Sequence, residues 1–313
     1  MMAGKIFPGA KTISYLNINK IKIKKEFVMK TKQMAFILIS LLISILPLSV
    51  SGQTGTRAQK APDDITKWTN KTIMWVGPHQ DDESGCLGTL SLLKANGNKI
   101  IMVWYTTGNK GSRDLEMTSE RLAQIRKIET EKACGEMGIS PSTDTFICLG
   151  YDDGMLEYVP EKELCEKVCR LIRQYRPDAV FSMDPGTTWM KWLKTDHRMS
   201  AFITLDGARA AAYHLYFPNH RINEGLQPFT VTDYFFYSTG ESNYNVDVTS
   251  VSDKKIRAHA WYVSQFGPGN FKYVGPEPDQ ENIKKQLSSN AERIAKGEKI
   301  YERFRRLSES MSF

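Results

Sequence analysis

Between residues 71 and 183 the chain alternates short apolar runs with longer stretches of helical periodicity, an order that few folds accommodate. Lys71-Thr72-Ile73-Met74-Trp75-Val76 stays apolar to its end and stops at Gly-Pro, the form of a strand buried on both faces. The pattern predicts a helix from about Glu83 to Ala95, closed by Gly97. A second strand, Ile100-Ile101-Met102-Val103-Trp104-Tyr105, is halted by the polar run from Thr106 to Gly111. From Met117 to Met137, Leu122, Ile125, Ile128, Ala133 and Met137 recur at helical spacing, with Gly138 as the stop. The reading continues with a strand over Thr145 to Leu149, a helix over Glu161 to Tyr175 and a fourth strand over Ala179 to Met183. A helix from Asp196 to His214 and a strand over Tyr234 to Tyr237 follow, and the charged stretch from Gln280 to Leu307 reads as a helical tail on the surface. Such alternation implies right-handed βαβ units. The expected fold is therefore α/β: a doubly wound, mostly parallel sheet with helices on both faces, Rossmann-like in organisation.

The first fifty residues are of another kind. Eight lysines there face only Glu26, and from Met34 to Leu48 the sequence is almost continuously apolar before the small residues Ser49, Ser51 and Gly52. The apolar part falls short of the roughly 20 residues a membrane span needs, so a cleaved secretory signal is expected rather than an anchor. Export to a periplasmic or extracellular location follows, with no membrane span in the mature chain. Met29-Lys30-Thr31-Lys32 reads as a natural start, which makes residues 1–28 an upstream extension. The expected organisation is a leader over residues 1–52 and a single α/β domain with a helical C-terminal tail over residues 53–313. The net charge of +7 sits entirely in the leader, so the folded part is neutral and lacks the basic surplus of a nucleic-acid binder. Five cysteines, an odd number without a CxxC pair, argue against a disulfide framework. Cys165 and Cys169, four apart, read as thiols on one buried helix face.

The unusual chemistry follows the first strand, where Pro78-His79-Gln80-Asp81-Asp82-Glu83 crowds three acids behind a histidine. Like charges at this range repel unless a cation or a shared proton offsets them. In open α/β sheets the ligand crevice lies at the carboxyl ends of the strands, where this run falls. His79 and Asp82, three apart across a turn, can converge on one metal ion, and an imidazole with a carboxylate suits zinc. Of the remaining histidines, His197 opens a helix after the fourth strand and is the choice for a third ligand. Asp81 is then left beside the metal as general base for a water, while Glu83 is expected to turn away toward the positive end of the helix.

These residues resemble a family, the PIG-L/LmbE-like deacetylases, zinc enzymes that remove acetyl groups from N-acetylglucosamine-type substrates. Their Ala-His-Pro-Asp-Asp-Glu signature is matched by residues 78–83 with Gln80 in the place of proline. Thr106-Thr107-Gly108, Arg126-x-x-Glu129 with Ala133 and Gly138, Leu149-Gly150-Tyr151-Asp152-Asp153-Gly154 and Arg176-Pro177-Asp178 are similar in order over residues 71–200. The family's His-Pro-Asp-His segment is matched at its end by Asp196-His197, but Lys194 stands where the family has its first histidine. The resemblance implies either that Lys194 serves as the electrophile, donating to a developing oxyanion, or that it points into water. It also implies sugar-binding roles for Arg126 and Asp153. Trp189, Trp192, Tyr213 and Tyr216 are candidate faces for a sugar ring around the opening. Lys255 followed by Ser264-Gln265 is similar to a late family segment, in which Tyr262 stands where a histidine is common; no role is attached to it.

The expected function is a zinc-dependent hydrolase removing an N-acyl group from an amino sugar or glycoconjugate, with one Zn2+ per chain and other divalent transition metals as substitutes. Two alternatives share the fold: a metal- and sugar-binding protein without turnover, and an amidase acting on a thiol conjugate or an acylated antibiotic.

Overall fold

In the computed structural model, which describes residues 63–186 and 195–308, the first strand sits at the middle of the sheet. Ile73 and Trp75 point to one face and Met74 and Val76 to the other, and all four are buried, so β1 (Thr72–Gly77) needs cover on both sides. One face receives α1 (Leu87–Ala95), through Leu87, Leu90 and Leu93. Between β1 and α1 lies a single 3-10 turn, Asp82–Gly85, so the α-helix starts four residues later than the sequence pattern predicts.

Four more elements continue the alternation: β2 (Lys99–Thr106), α2 (Ser119–Glu136), β3 (Thr145–Tyr151) and α3 (Glu161–Tyr175). They are followed by β4 (Ala179–Met183), α4 (Thr195–Ala212), a short helix α5 (Asn219–Ile222) and β5 (Asp233–Tyr237). β1 pairs in parallel with β2 and with β4, β2 with β3, and β4 with β5. On the second face α3 and α4 cover Met74, Val76, Ile101, Val103 and Val180. Gly207 of α4 lets the two helices approach, since a Cβ there would lie 2.7 Å from Val168 of α3.

The chain closes with β6 (Tyr244–Asp247), α6 (Ser252–Ala260), α7 (Gln280–Ala295) and β7 (Tyr301–Leu307). The sheet order is β3-β2-β1-β4-β5-β7-β6, with β7 antiparallel to both β5 and β6. The expected helical tail is thus corrected: α7 ends at Lys296-Gly297 and the chain re-enters the sheet. In β7 the inward positions are Glu302, Phe304 and Arg306, so two charges stand where an apolar alternation would announce a strand. Glu302 is buried because it has donors to meet: the Gly88 and Thr89 amides at 2.9 and 2.7 Å, the Thr89 hydroxyl at 2.6 Å and the Lys255 ammonium. It caps α1 from a strand more than 200 residues away.

All described residues fall in the unit that begins at Pro62. The expected leader, residues 1–52, lies outside the described residues, as do Lys194, Trp189 and Trp192. No helix among the described residues is long and apolar enough to cross a membrane. Cys169 is buried and Cys165 half-buried along α3.

Candidate active site

The strand order reverses direction at β1, whose neighbours β2 and β4 lead away to opposite edges. A crevice opens at such a point, outside the carboxyl ends of the strands. The loop after β1 delivers His79, Asp81 and Asp82 there, the start of α4 delivers Asp196 and His197, and the loop after β3 delivers Asp153.

His79 is 6% exposed and each of its ring nitrogens meets carboxylates. Nδ1 lies 3.2 Å from Asp82 Oδ2, which also accepts the His79 backbone N–H. Nε2 lies 3.0 Å from both Asp153 Oδ1 and Asp196 Oδ2. On the Asp82 side the second imidazole arrives, with His197 Nε2 3.5 Å from Asp82 Oδ1 and the two rings 5.2 Å apart between centroids. His79, Asp82 and His197 each offer one ligand atom within 4.8 Å of the others, so the structure brings the three expected metal ligands together. Ligands held at about 2.0–2.2 Å around a tetrahedral ion lie roughly 3.3–3.6 Å apart. His79 Nδ1 lies 3.2 Å from Asp82 Oδ2 and His197 Nε2 3.5 Å from Asp82 Oδ1, so the two imidazoles flank the two oxygens of one carboxylate at close to that spacing.

Charge makes the same point. Burial pushes the His79 imidazole toward its neutral form, yet hydrogen bonds with Asp153, Asp196 and Asp82 overcome this and carry its pKa well above the ordinary value. The cluster is built to surround positive charge. With a cation on the Nδ1 side, Nε2–H donates to a carboxylate that fixes the ring, the usual partnership of a metal-ligating histidine. A second grouping, His79 with Asp153 and Asp196, has comparable proximity, but Asp196 is already engaged by the Gly154 amide at 2.6 Å and the Leu156 amide at 3.1 Å. We read that grouping as the support that orients His79.

Asp81 stands apart from the ligand set. Its backbone has φ 131°, a strained conformation for a residue with a side chain. Its Oδ1 meets the Arg126 guanidinium at 3.1 Å. Burial raises its pKa, Arg126 lowers it, and the neighbouring Asp82 raises it again, leaving it at about 7. A carboxyl poised there can take and return a proton near neutrality.

Arg126 is 2% exposed, and its partners lie across the site rather than along its own helix. It donates to the Gly108 carbonyl at 3.1 Å and to the Gln80 carbonyl, and pairs with Asp81 and, at 3.5 Å, with Asp153. Gly108 has φ 65°, and a Cβ there would lie 2.7 Å from the guanidinium, so the residue must be glycine for the arginine to enter. Burial raises the Asp153 carboxyl, but His79 and Arg126 outweigh it and hold the pKa below the ordinary value. The cavity beside these groups is about 310 Å3, lined by His79, Asp81, Asp153 and Asp196 together with Lys110 and Gln265. It has the size and polarity for a single small polar ring with a substituent.

Several contributors escaped the sequence reading. Glu83 turns into the core rather than toward the positive end of the helix: it is fully buried and hydrogen-bonded by Tyr262, Trp104 and the Asp81 amide. Asp196, read from the sequence only as the first residue of a helix and part of the Asp196-His197 match, holds His79 and the loop after β3. The inward face of α2 carries Leu122, Arg126, Glu129 and Ala133, whereas Ile128, assigned to the apolar stripe, is 50% exposed. An arginine and a glutamate at the spacing of that stripe were the available signal. Tyr213 and Tyr216 follow the far end of α4, roughly 27 Å along the helix from the site, and do not line its cavity.

Known proteins that this chain resembles include deacetylases. The family model described as PIG-L: GlcNAc-PI de-N-acetylase matches residues 74–208. The chain is 30% identical over 202 residues to diacetylchitobiose deacetylase of Thermococcus kodakarensis, covering 63% of this chain and 70% of that protein. It is 28% identical over 117 residues to a probable N-acetyl-alpha-D-glucosaminyl L-malate deacetylase of Bacillus cereus, covering 36% of this chain and 51% of that one. Among solved structures, N,N'-diacetylchitobiose deacetylase from Pyrococcus horikoshii superposes with a TM-score of 0.61 at 25% identity, covering 76% of this chain and 84% of the other.

Proposed function

The chain belongs to the PIG-L family, and from that premise we propose that it is a metal-dependent hydrolase that removes an N-acetyl group from an amino sugar of the N-acetylglucosamine type. The observation that carries this reading is the convergence of His79, Asp82 and His197, with Asp81 beside them and outside the ligand set. Two imidazoles and one carboxylate favour zinc, with other divalent transition metals within the same chemistry. When bound, the cation polarises the acyl carbonyl and eases the ionisation of water.

The chain's own residues supply the rest. Asp81 takes a proton from the attacking water; a C–O bond to the acyl carbon forms and the C–N bond breaks. The proton passes from Asp81 to the leaving nitrogen, so the products are acetate and a free amino sugar. Arg126 holds the Asp81 carboxylate in place while Asp153 and Asp196 fix the His79 ring. Asp153, Lys110 and Gln265, at the cavity wall, offer acceptors and donors to sugar hydroxyls. Lys194, next in sequence to Thr195, is the proposed donor to the carbonyl oxygen. Export guided by residues 1–52 forms part of the same proposal, and cell fractionation with N-terminal sequencing of the mature protein tests it.

The experiment is acetate release by the purified, metal-loaded protein from N-acetylglucosamine, N,N'-diacetylchitobiose, a thiol conjugate and an acylated antibiotic. Release from the sugars supports the proposal. Release confined to the last two substrates replaces it with the amidase alternative, and bound metal without any release replaces it with the binding-protein alternative.

A further inference from the structure

Glu83 has no place in the proton transfers above, yet it is fully buried two residues from the base and accepts three hydrogen bonds. Its Oε2 accepts the Asp81 backbone N–H at 3.0 Å and the Trp104 indole N–H at 3.1 Å. Its Oε1 accepts the Tyr262 hydroxyl at 2.7 Å. The three donors come from the catalytic loop itself, from β2 and from the segment after α6. Trp104 and Tyr262 are themselves buried, at 3% and 1% exposure, so both anchors are fixed by packing.

What they hold is a strained residue. Asp81 has φ 131°, and a residue with a side chain persists in that strained region only where its surroundings impose it. The loop relaxes at the φ of Asp81 if its amide is released, and relaxation swings the carboxylate out of the position from which it can reach a water. Resting on the reading of Asp81 as the base, we propose that Tyr262, Glu83 and Trp104 form a positioning tether that locks the backbone of Asp81 in its left-handed conformation and so aims its carboxylate. Tyr262 thereby makes the segment after α6 a participant in catalysis, although it lies 179 positions from Glu83 in the chain. The tether acts through hydrogen-bond geometry and does not need the charge. A glutamine at 83 places its carbonyl oxygen toward the Asp81 amide and the indole, and its amide N–H toward the Tyr262 oxygen.

The test compares Glu83→Ala, Glu83→Gln and Tyr262→Phe with wild type, measuring kcat and KM for acetate release per metal-loaded folded chain. Glu83→Ala is expected to lose about 100-fold in kcat, the scale of a misplaced catalytic group, with KM and metal content unchanged. Glu83→Gln is expected to recover most of that loss, and Tyr262→Phe to fall about tenfold, the worth of one hydrogen bond. A purely structural Glu83 would instead lower the folded fraction and leave kcat per folded chain intact, which overturns the tether. Equal loss in the alanine and glutamine variants also overturns it, because the charge would then be what matters. If Glu83→Ala does not fold, unchanged kcat in Tyr262→Phe overturns it. A wild type that releases no acetate removes the deacetylase reading. The tether then stands only if Asp81 leaves its positive φ in crystals of Tyr262→Phe or Glu83→Ala.

Discussion

Between His79 and Glu83 the chain sets three carboxylates within one turn, and each meets a different environment. Asp82 faces two imidazoles, Asp81 faces Arg126 and the cavity, and Glu83 faces the core. The repulsion that such a run implies is relieved by separating the groups, not only by a cation. Replacing Asp81 with asparagine keeps the shape and removes the proton acceptor. Asp81→Asn is expected to lose about 10²–10⁴-fold in acetate release while retaining bound metal, as measured by turnover and metal analysis on one preparation. The convergence of His79, Asp82 and His197 was legible in the sequence because two of them stand three apart after the first strand and the third opens a helix at the same crevice. The direction of Glu83 was not, because it depends on the φ of the residue two positions before it, and no periodicity encodes one left-handed residue. Lys194 rests on the resemblance alone.

Among the elements, α2 shows how a charged pair can occupy a buried face. Glu129, one turn after Arg126, accepts the Ser264 amide at 2.8 Å and the Ser264 hydroxyl at 2.7 Å, pinning the segment that also carries Tyr262. Burial raises its pKa, Ser264 lowers it in part, and the result is about 7. A carboxyl with its folded pKa above the ordinary value of 4.5 binds a proton more readily when folded. Its contribution to stability is therefore present at low pH and is lost as pH rises toward 7. Glu129→Gln is expected to flatten that part of the stability profile, read as urea midpoints from pH 4.5 to 8. β7 presents the reverse difficulty of recognition. Its inward Glu302 and Arg306 gave no apolar alternation, so the strand read as more helix. Glu302→Ala strands two backbone amides of α1 and the Lys255 ammonium. We expect a loss of about 3–5 kcal/mol in denaturant unfolding, against little change for the exposed neighbour Arg303→Ala.

At the scale of the molecule, the parallel strands β1 to β5 were readable because each is a short apolar run closed by turn residues, and their alternation with helices fixes handedness and layer order. The antiparallel edge of β7 and β6 was not, since its pairing depends on contacts with residues far away in sequence. The fold puts the carboxyl ends of β1 and β3 and the start of α4 around one crevice, where His79, Asp81, Asp82, Asp153, Asp196 and His197 gather, and α2 adds Arg126. If a cation completes this arrangement, removing it costs both activity and stability. Chelation is expected to abolish acetate release and lower the melting temperature, and adding back Zn2+ to restore both. The most direct measurement is anomalous scattering from crystals of the metal-loaded protein. The account predicts one ion bonded at about 2.0–2.2 Å by His79, Asp82 and His197, with Asp81 close by but not bonded. An ion held by Asp153 and Asp196, or one ligated by Asp81 itself, would contradict it.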